Sequence, residues 1–197
     1  MVAWSNIILM VSTALLTGYF YCKSAGPAAL EKKIGESAYK KCSRLRFVSL
    51  FLMILHVIQY GVYFFYPIDS AIPATFPWHW WISAAIAVLL AVPSSLLLHK
   101  AARYAGMEPV VTKKNHKLFR GVYNKIRHPI AVAELPMIWS FAFLLHSPFL
   151  ALFSFIWVPL FYLMCVTEEK DLEIRYGAPY LQYKKHTGMF FPKRRKK

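Results

Sequence analysis

The chain is short of charge. Asp, Glu, Lys and Arg make up 17% of its 197 residues, while hydrophobic residues make up 57%. A soluble domain of this length cannot bury that much apolar surface, because burial is limited by surface-to-volume scaling. Acid is the scarcer sign: nine Asp and Glu stand against 24 Lys and Arg, a formal net charge of +15. Cysteine is scarce too. Cys22, Cys42 and Cys165 form no CxxC pair, which argues against a disulfide framework or a zinc site. The N-terminus has neither the basic flank nor the small-residue cleavage site of a signal peptide, so its apolar run is expected to stay as a helix. There is no internal repeat, low-complexity tract or linker, and the length suits a single domain over 1–197.

What the chain does have is long apolar runs. Residues 2–22, 47–66, 78–98, 130–146 and 149–167 form five of them, and a helical span needs about 20 such residues. The expectation is an all-α polytopic membrane protein with about five transmembrane helices. The fourth run is short and holds Glu134 and Pro136, so it either tilts little or forms a tight hairpin with the fifth around Ser147 and Pro148. Trp78, Trp80 and Trp81 resemble an interfacial aromatic belt at the start of the third. Pro93, Pro136 and Pro159 are expected to kink their spans, and His56 to be a packing histidine bonded to a neighbouring helix.

All 24 basic residues fall in three segments: seven in 23–46, eight in 100–127 and nine in 170–197. Five spans put these segments on one side, which the positive-inside rule makes cytoplasmic, with the N-terminus outside and the C-terminus in the cytoplasm. The charge then records topology and some attraction for membrane lipids, not nucleic-acid binding. The KRRKK end is a headgroup-binding tail on the same reasoning.

Chemistry is to be sought on the basic side. Pro129 suits the first turn of a helix, which leaves Arg127 and His128 at the boundary between water and lipid. They either attract an anion there or simply snorkel and cap the interface. Glu134 is an acid inside a span. It is either tied to Lys125, Arg127 or a histidine, or it has a direct chemical role. Glu168 and Glu169 follow Thr167 at the end of a span, where acids oppose the helix dipole. Either Thr167 caps a new helix, or the acids have a ligand. Beyond them Leu172, Tyr176, Tyr180 and Tyr183 recur at helical spacing, as in an amphipathic segment lying on the cytoplasmic membrane face.

Two stretches in order, HKLFRGVYNKIRHP and EEKDLEIRYGAPYLQYKKHTGMFFP, are separated by two apolar helices. Together they resemble the membrane-embedded methyltransferases related to isoprenylcysteine carboxyl methyltransferase and phospholipid N-methyltransferase. The resemblance covers about 105–192, within a cofactor-binding half of about 99–192. It implies S-adenosylmethionine as cofactor, bound on the cytoplasmic side. Its contacts carry over to His116, Lys117, Leu118, Phe119, Tyr123, His128, Pro129, Ile130, Ala131 and Glu168. It implies a lipophilic substrate from the bilayer; Glu134 and Glu169, as carboxylates near the expected site, are candidate proton acceptors for a lipid amine. Two departures stand out. Ala131 replaces a tyrosine of the pattern. Met164 replaces the arginine that in prenylcysteine methyltransferases engages the substrate carboxylate, and a thioether cannot substitute for a guanidinium. The alternative readings are a relative of the sterol reductases, which use a reduced nicotinamide cofactor, and a non-catalytic scaffold.

Overall fold

The computed structural model describes residues 1–112, 114 and 120–193. They form an all-α membrane protein. Four helices are long and apolar enough to cross a bilayer: α1 (Val2–Ser24), α3 (Ser37–Phe65), α4 (Trp80–Ala105) and a composite rod, Pro148–Tyr176. The rod comprises α6 (Pro148–Phe153), a 3-10 turn (Ser154–Ile156) and α7 (Trp157–Tyr176). Pro159 has no N–H to give the carbonyl of Phe155, and the 3-10 turn lies there. Short helices α2 (Pro27–Ile34) and α8 (Ala178–His186) lie at the basic end of the chain's spans.

The fourth expected span is the short one. Helix α5 (Pro129–Leu144) has 16 residues, which at ~1.5 Å each give about 24 Å against a hydrocarbon core of ~30 Å. The hairpin reading fits it. His146 takes a positive φ of 54°, and the Ser147 hydroxyl caps α6 by accepting from the Leu150 N–H at 3.3 Å. The returning rod is tied to α5 near the turn, where Trp139 Nε1 donates to the Ala151 carbonyl at 2.9 Å.

Most of the apolar surface faces outward. Only 17% to 33% of each span's most apolar window is buried within the protein, so the lipid-facing side chains outnumber those that pack inward. The inner core is Met10, Ala14, Tyr60, Ile138, Trp157 and Phe161 with their neighbours. His56 is the packing histidine expected, fully buried among them. Trp157 Nε1, which can only donate, points at His56 Nε2 at 3.2 Å. The proton is therefore on Nδ1, which donates to the Thr13 hydroxyl at 3.1 Å. Thr13 in turn donates to Gln59 Oε1 at 2.8 Å. This relay satisfies three helices' polar groups where no water reaches.

Gly121 opens a 3-10 turn, Gly121–Asn124, at φ +58°. A Cβ there would lie 2.2 Å from the Tyr104 ring, and an L residue rarely adopts that φ. Gly121→Ala is expected to destabilise the protein by more than about 1 kcal/mol, read as a lower thermal midpoint in detergent.

Candidate functional site

The site is organised by the strand-like segment between Gly121 and α5. Ile126 bridges to Gly188 in parallel fashion. The Arg127 N–H donates to the Gly188 carbonyl at 2.9 Å, and the His128 N–H to the Met189 carbonyl at 3.1 Å. Gly188 is required because a Cβ would fall 1.7 Å from the Phe191 carbonyl oxygen. Pro129 then starts α5 at its first position, as expected. Arg and His are thereby fixed under the last segment of the chain.

Arg127 neither snorkels nor awaits an anion. Its guanidinium is buried and donates through Nε to Glu169 Oε1 at 2.7 Å. It also donates to the Lys184 carbonyl at 3.2 Å and to the Thr187 carbonyl. Glu169 further accepts from Lys184 Nζ at 2.8 Å and lies 3.2 Å from His128 Nε2. This is a closed cluster tying α5, α7 and α8 together.

The glutamates do not begin a new helix. Helix α7 runs through Thr167, whose hydroxyl donates back to the Leu163 carbonyl at 2.8 Å, and ends at Gly177 with φ +58°. The dipole conflict does not arise, because Glu168 lies about two turns before the end of α7; it is 3.5 Å from Arg46 and 3.6 Å from His128 Nδ1, and accepts from the Tyr21 hydroxyl at 2.7 Å. The expected amphipathic segment is corrected likewise. Gly177 divides it, Tyr180 is 1% exposed, and the Tyr183 hydroxyl donates to the Tyr123 carbonyl at 2.6 Å. The tyrosines pack beneath the site instead of facing lipid.

His128 bears on pH. Burial by itself lowers the imidazole pKa, but hydrogen bonds to Cys165, Glu168 and Glu169 lift it well above its ordinary value. A raised folded-state pKa means that the imidazolium's contribution to stability is complete below pH 6.5, the unfolded value. It is lost as pH rises through the folded-state pKa. The thermal midpoint of the wild type is therefore expected to fall with alkaline pH, and that of His128→Gln to fall less. Parallel pH profiles would show that His128 stays neutral.

A cavity of about 270 Å³ lies in front of His128, close to the ~300 Å³ lower end for ligand sites. Its wall brings together Tyr123, His128, Pro129, Ile130, Ala131 and Glu168 from the sequence, with Glu134 and Met164. His116, Lys117, Leu118 and Phe119 lie outside the described residues. Glu169 is not on the wall; it stands behind His128. Glu134 is on it, and the partners expected for it are not supplied. Arg127 and His128 bond Glu169, and no described residue forms an ion pair or hydrogen bond with Glu134.

Helices α1 and α3 supply a wall that the sequence reading missed. Tyr21 and Thr17 come from α1 and Arg46 and Ser49 from α3. Arg46 is 6% exposed, donates to Ser24 Oγ at 3.1 Å, and lies 4.7 Å from the Tyr21 ring centre. Helix α3 begins at Ser37, so Arg46 is well inside it. The signal was there: Cys42, Ser43, Arg46 and Ser49 form a stripe of small and polar residues at helical spacing, all buried. Further along the wall Arg175 pairs with Glu108 at 2.7 Å and Asp171 at 2.6 Å. Asp171 also accepts from the Ala28 N–H at 2.7 Å, fixing α2.

The chain matches no protein-family model, no curated protein and no solved structure.

Proposed function

We propose that this protein is an S-adenosylmethionine-dependent methyltransferase whose acceptor is a lipophilic molecule entering sideways from the bilayer. The observation that carries the reading is that all six described residues assigned to the cofactor by the family resemblance line one cavity, five from residues 123–131 and Glu168 from α7. The donor set fits the group. Glu168 is a carboxylate for its ammonium, and His128 a cation for its carboxylate. Ile130 and Ala131 are apolar walls for its adenine. The Thr17 hydroxyl on the same wall is buried without a partner among the described residues, and a buried hydroxyl calls for one.

When bound, the cofactor supplies an electrophilic methyl group on a sulfonium. The chain's part is to orient and to exclude water. Glu169, held by Arg127 and Lys184, keeps the His128 ring in place and acts as a positioning residue. No described residue supplies Glu134 with a cation. Its carboxylate attracts a lipid ammonium and takes its proton, which leaves the nitrogen lone pair free to accept the methyl group. Met164 makes the wall apolar where an arginine would select a carboxylate. These features favour a lipid amine over a prenylcysteine. The segregation of basic residues supports a cytoplasmic site, with the N-terminus on the opposite side.

The test is methyl transfer from radiolabelled donor to a panel of aminophospholipids, prenylcysteines and small thiols. Aminophospholipids are expected to be the preferred acceptors, with Glu134→Gln slowing the reaction on the order of 10²-fold or more. Preferential methylation of prenylcysteine would overturn the amine assignment.

A further inference from the structure

We infer that the basic end of the bundle carries a second site, separate from the cavity, which binds an anionic phospholipid of the surrounding leaflet. A groove of about 500 Å³ runs between the end of α1, helix α2 and the start of α3. None of its lining residues belongs to the cavity wall. Its floor is apolar, with Phe20, Leu30 and Leu45 half-buried along it. Space above it is open, since a Cβ on Gly26 would meet nothing within 4 Å.

The rim is cationic. Lys23, Lys33 and Lys41 come from three different helices, and all are exposed. No carboxylate among the described residues pairs with any of them. The acid at hand, Glu31, is taken by Lys114 at 2.6 Å and by the Tyr39 hydroxyl at 3.1 Å. Lys23 instead stands 5.6 Å from the Tyr19 ring centre, on the lipid-facing side of α1.

Three lysines without a carboxylate partner among the described residues border an apolar trough where a membrane span ends. A free phosphate uses the rim but not the floor, and a neutral lipid uses the floor but not the rim. A phospholipid with net negative charge uses both. Its phosphate sits among the lysines and its chain lies along Phe20 and Leu45. The site pins α2, the helix that Asp171 holds against the cavity wall, without touching the cavity itself.

The experiment is native mass spectrometry of the whole chain in detergent, with phosphatidylglycerol or phosphatidylcholine of matched acyl chains. One phosphatidylglycerol is expected to be retained in preference. Each lysine removed should weaken that retention about fivefold. The combined Lys23→Ala, Lys33→Ala and Lys41→Ala variant should lose the preference while keeping the wild-type melting temperature. A control variant with Lys100, Lys170 and Lys185 changed to Ala should keep it. Equal retention of the two lipids would overturn the inference, as would equal loss of preference in the control. Displacement of the lipid by glycerol phosphate at matched concentration would also overturn it, by reducing the groove to a plain anion site.

Discussion

Glu168→Gln is expected to cut affinity for S-adenosylmethionine by about 30-fold or more while leaving helix content unchanged. The amide keeps the side chain's shape and removes its charge. Glu168 accepts from the Tyr21 hydroxyl at 2.7 Å and lies 3.5 Å from Arg46 and 3.6 Å from His128. It is the anion on which cations from α3 and the start of α5 converge. The pair lost to binding is the proposed one between Glu168 and the donor's ammonium, and removing one member of a desolvated charge pair across an interface costs about 2–5 kcal/mol. Calorimetry with the donor measures it, and circular dichroism controls for folding. If Glu168 were only part of the scaffold, the variant would melt earlier yet bind the donor unchanged once folded.

Arg127→Ala has the largest expected effect on stability, about 3–5 kcal/mol. The change strips Glu169, which is 4% exposed, of its closest cation at 2.7 Å. It also leaves the carbonyls of Lys184 and Thr187 without their guanidinium donor. Lys184 remains as a partner at 2.8 Å, but its ammonium cannot span a carboxylate and two carbonyls at once. Arg127→Lys should therefore recover only part of the loss. Thermal unfolding in detergent measures both variants. A loss below about 1 kcal/mol for Arg127→Ala would mean that the cluster behaves as a surface ion pair.

The membrane-spanning helices were legible because they rest on run length, which is a property of the chain itself. The short α5 and the turn at Ser147 and Pro148 were legible for the same reason. The cavity half contributed by α5 and α7 could be read from its two motifs. The half contributed by α1 and α3 could not. Arg46 lies in a basic segment, and a lone sequence gives no way to tell a topology-setting cation from one turned inward. Only the helix phase shared with Cys42, Ser43 and Ser49 separates them. The role of Arg127 was hidden because its partners, Glu169 and the carbonyls of Lys184 and Thr187, lie 42 to 60 residues away. The break at Gly177 does not show in the spacing of Tyr176, Tyr180 and Tyr183, which stays helical across it. A φ of +58° interrupts the helix without disturbing that pattern.

The most direct measurement is isothermal titration of the purified protein in detergent with S-adenosylmethionine and, separately, with NADPH. A methyltransferase site predicts saturable one-to-one binding of the first, lost in His128→Ala, and no binding of the second. Binding of NADPH without S-adenosylmethionine would contradict it in favour of a reductase, and binding of neither would leave the cavity without the proposed chemistry.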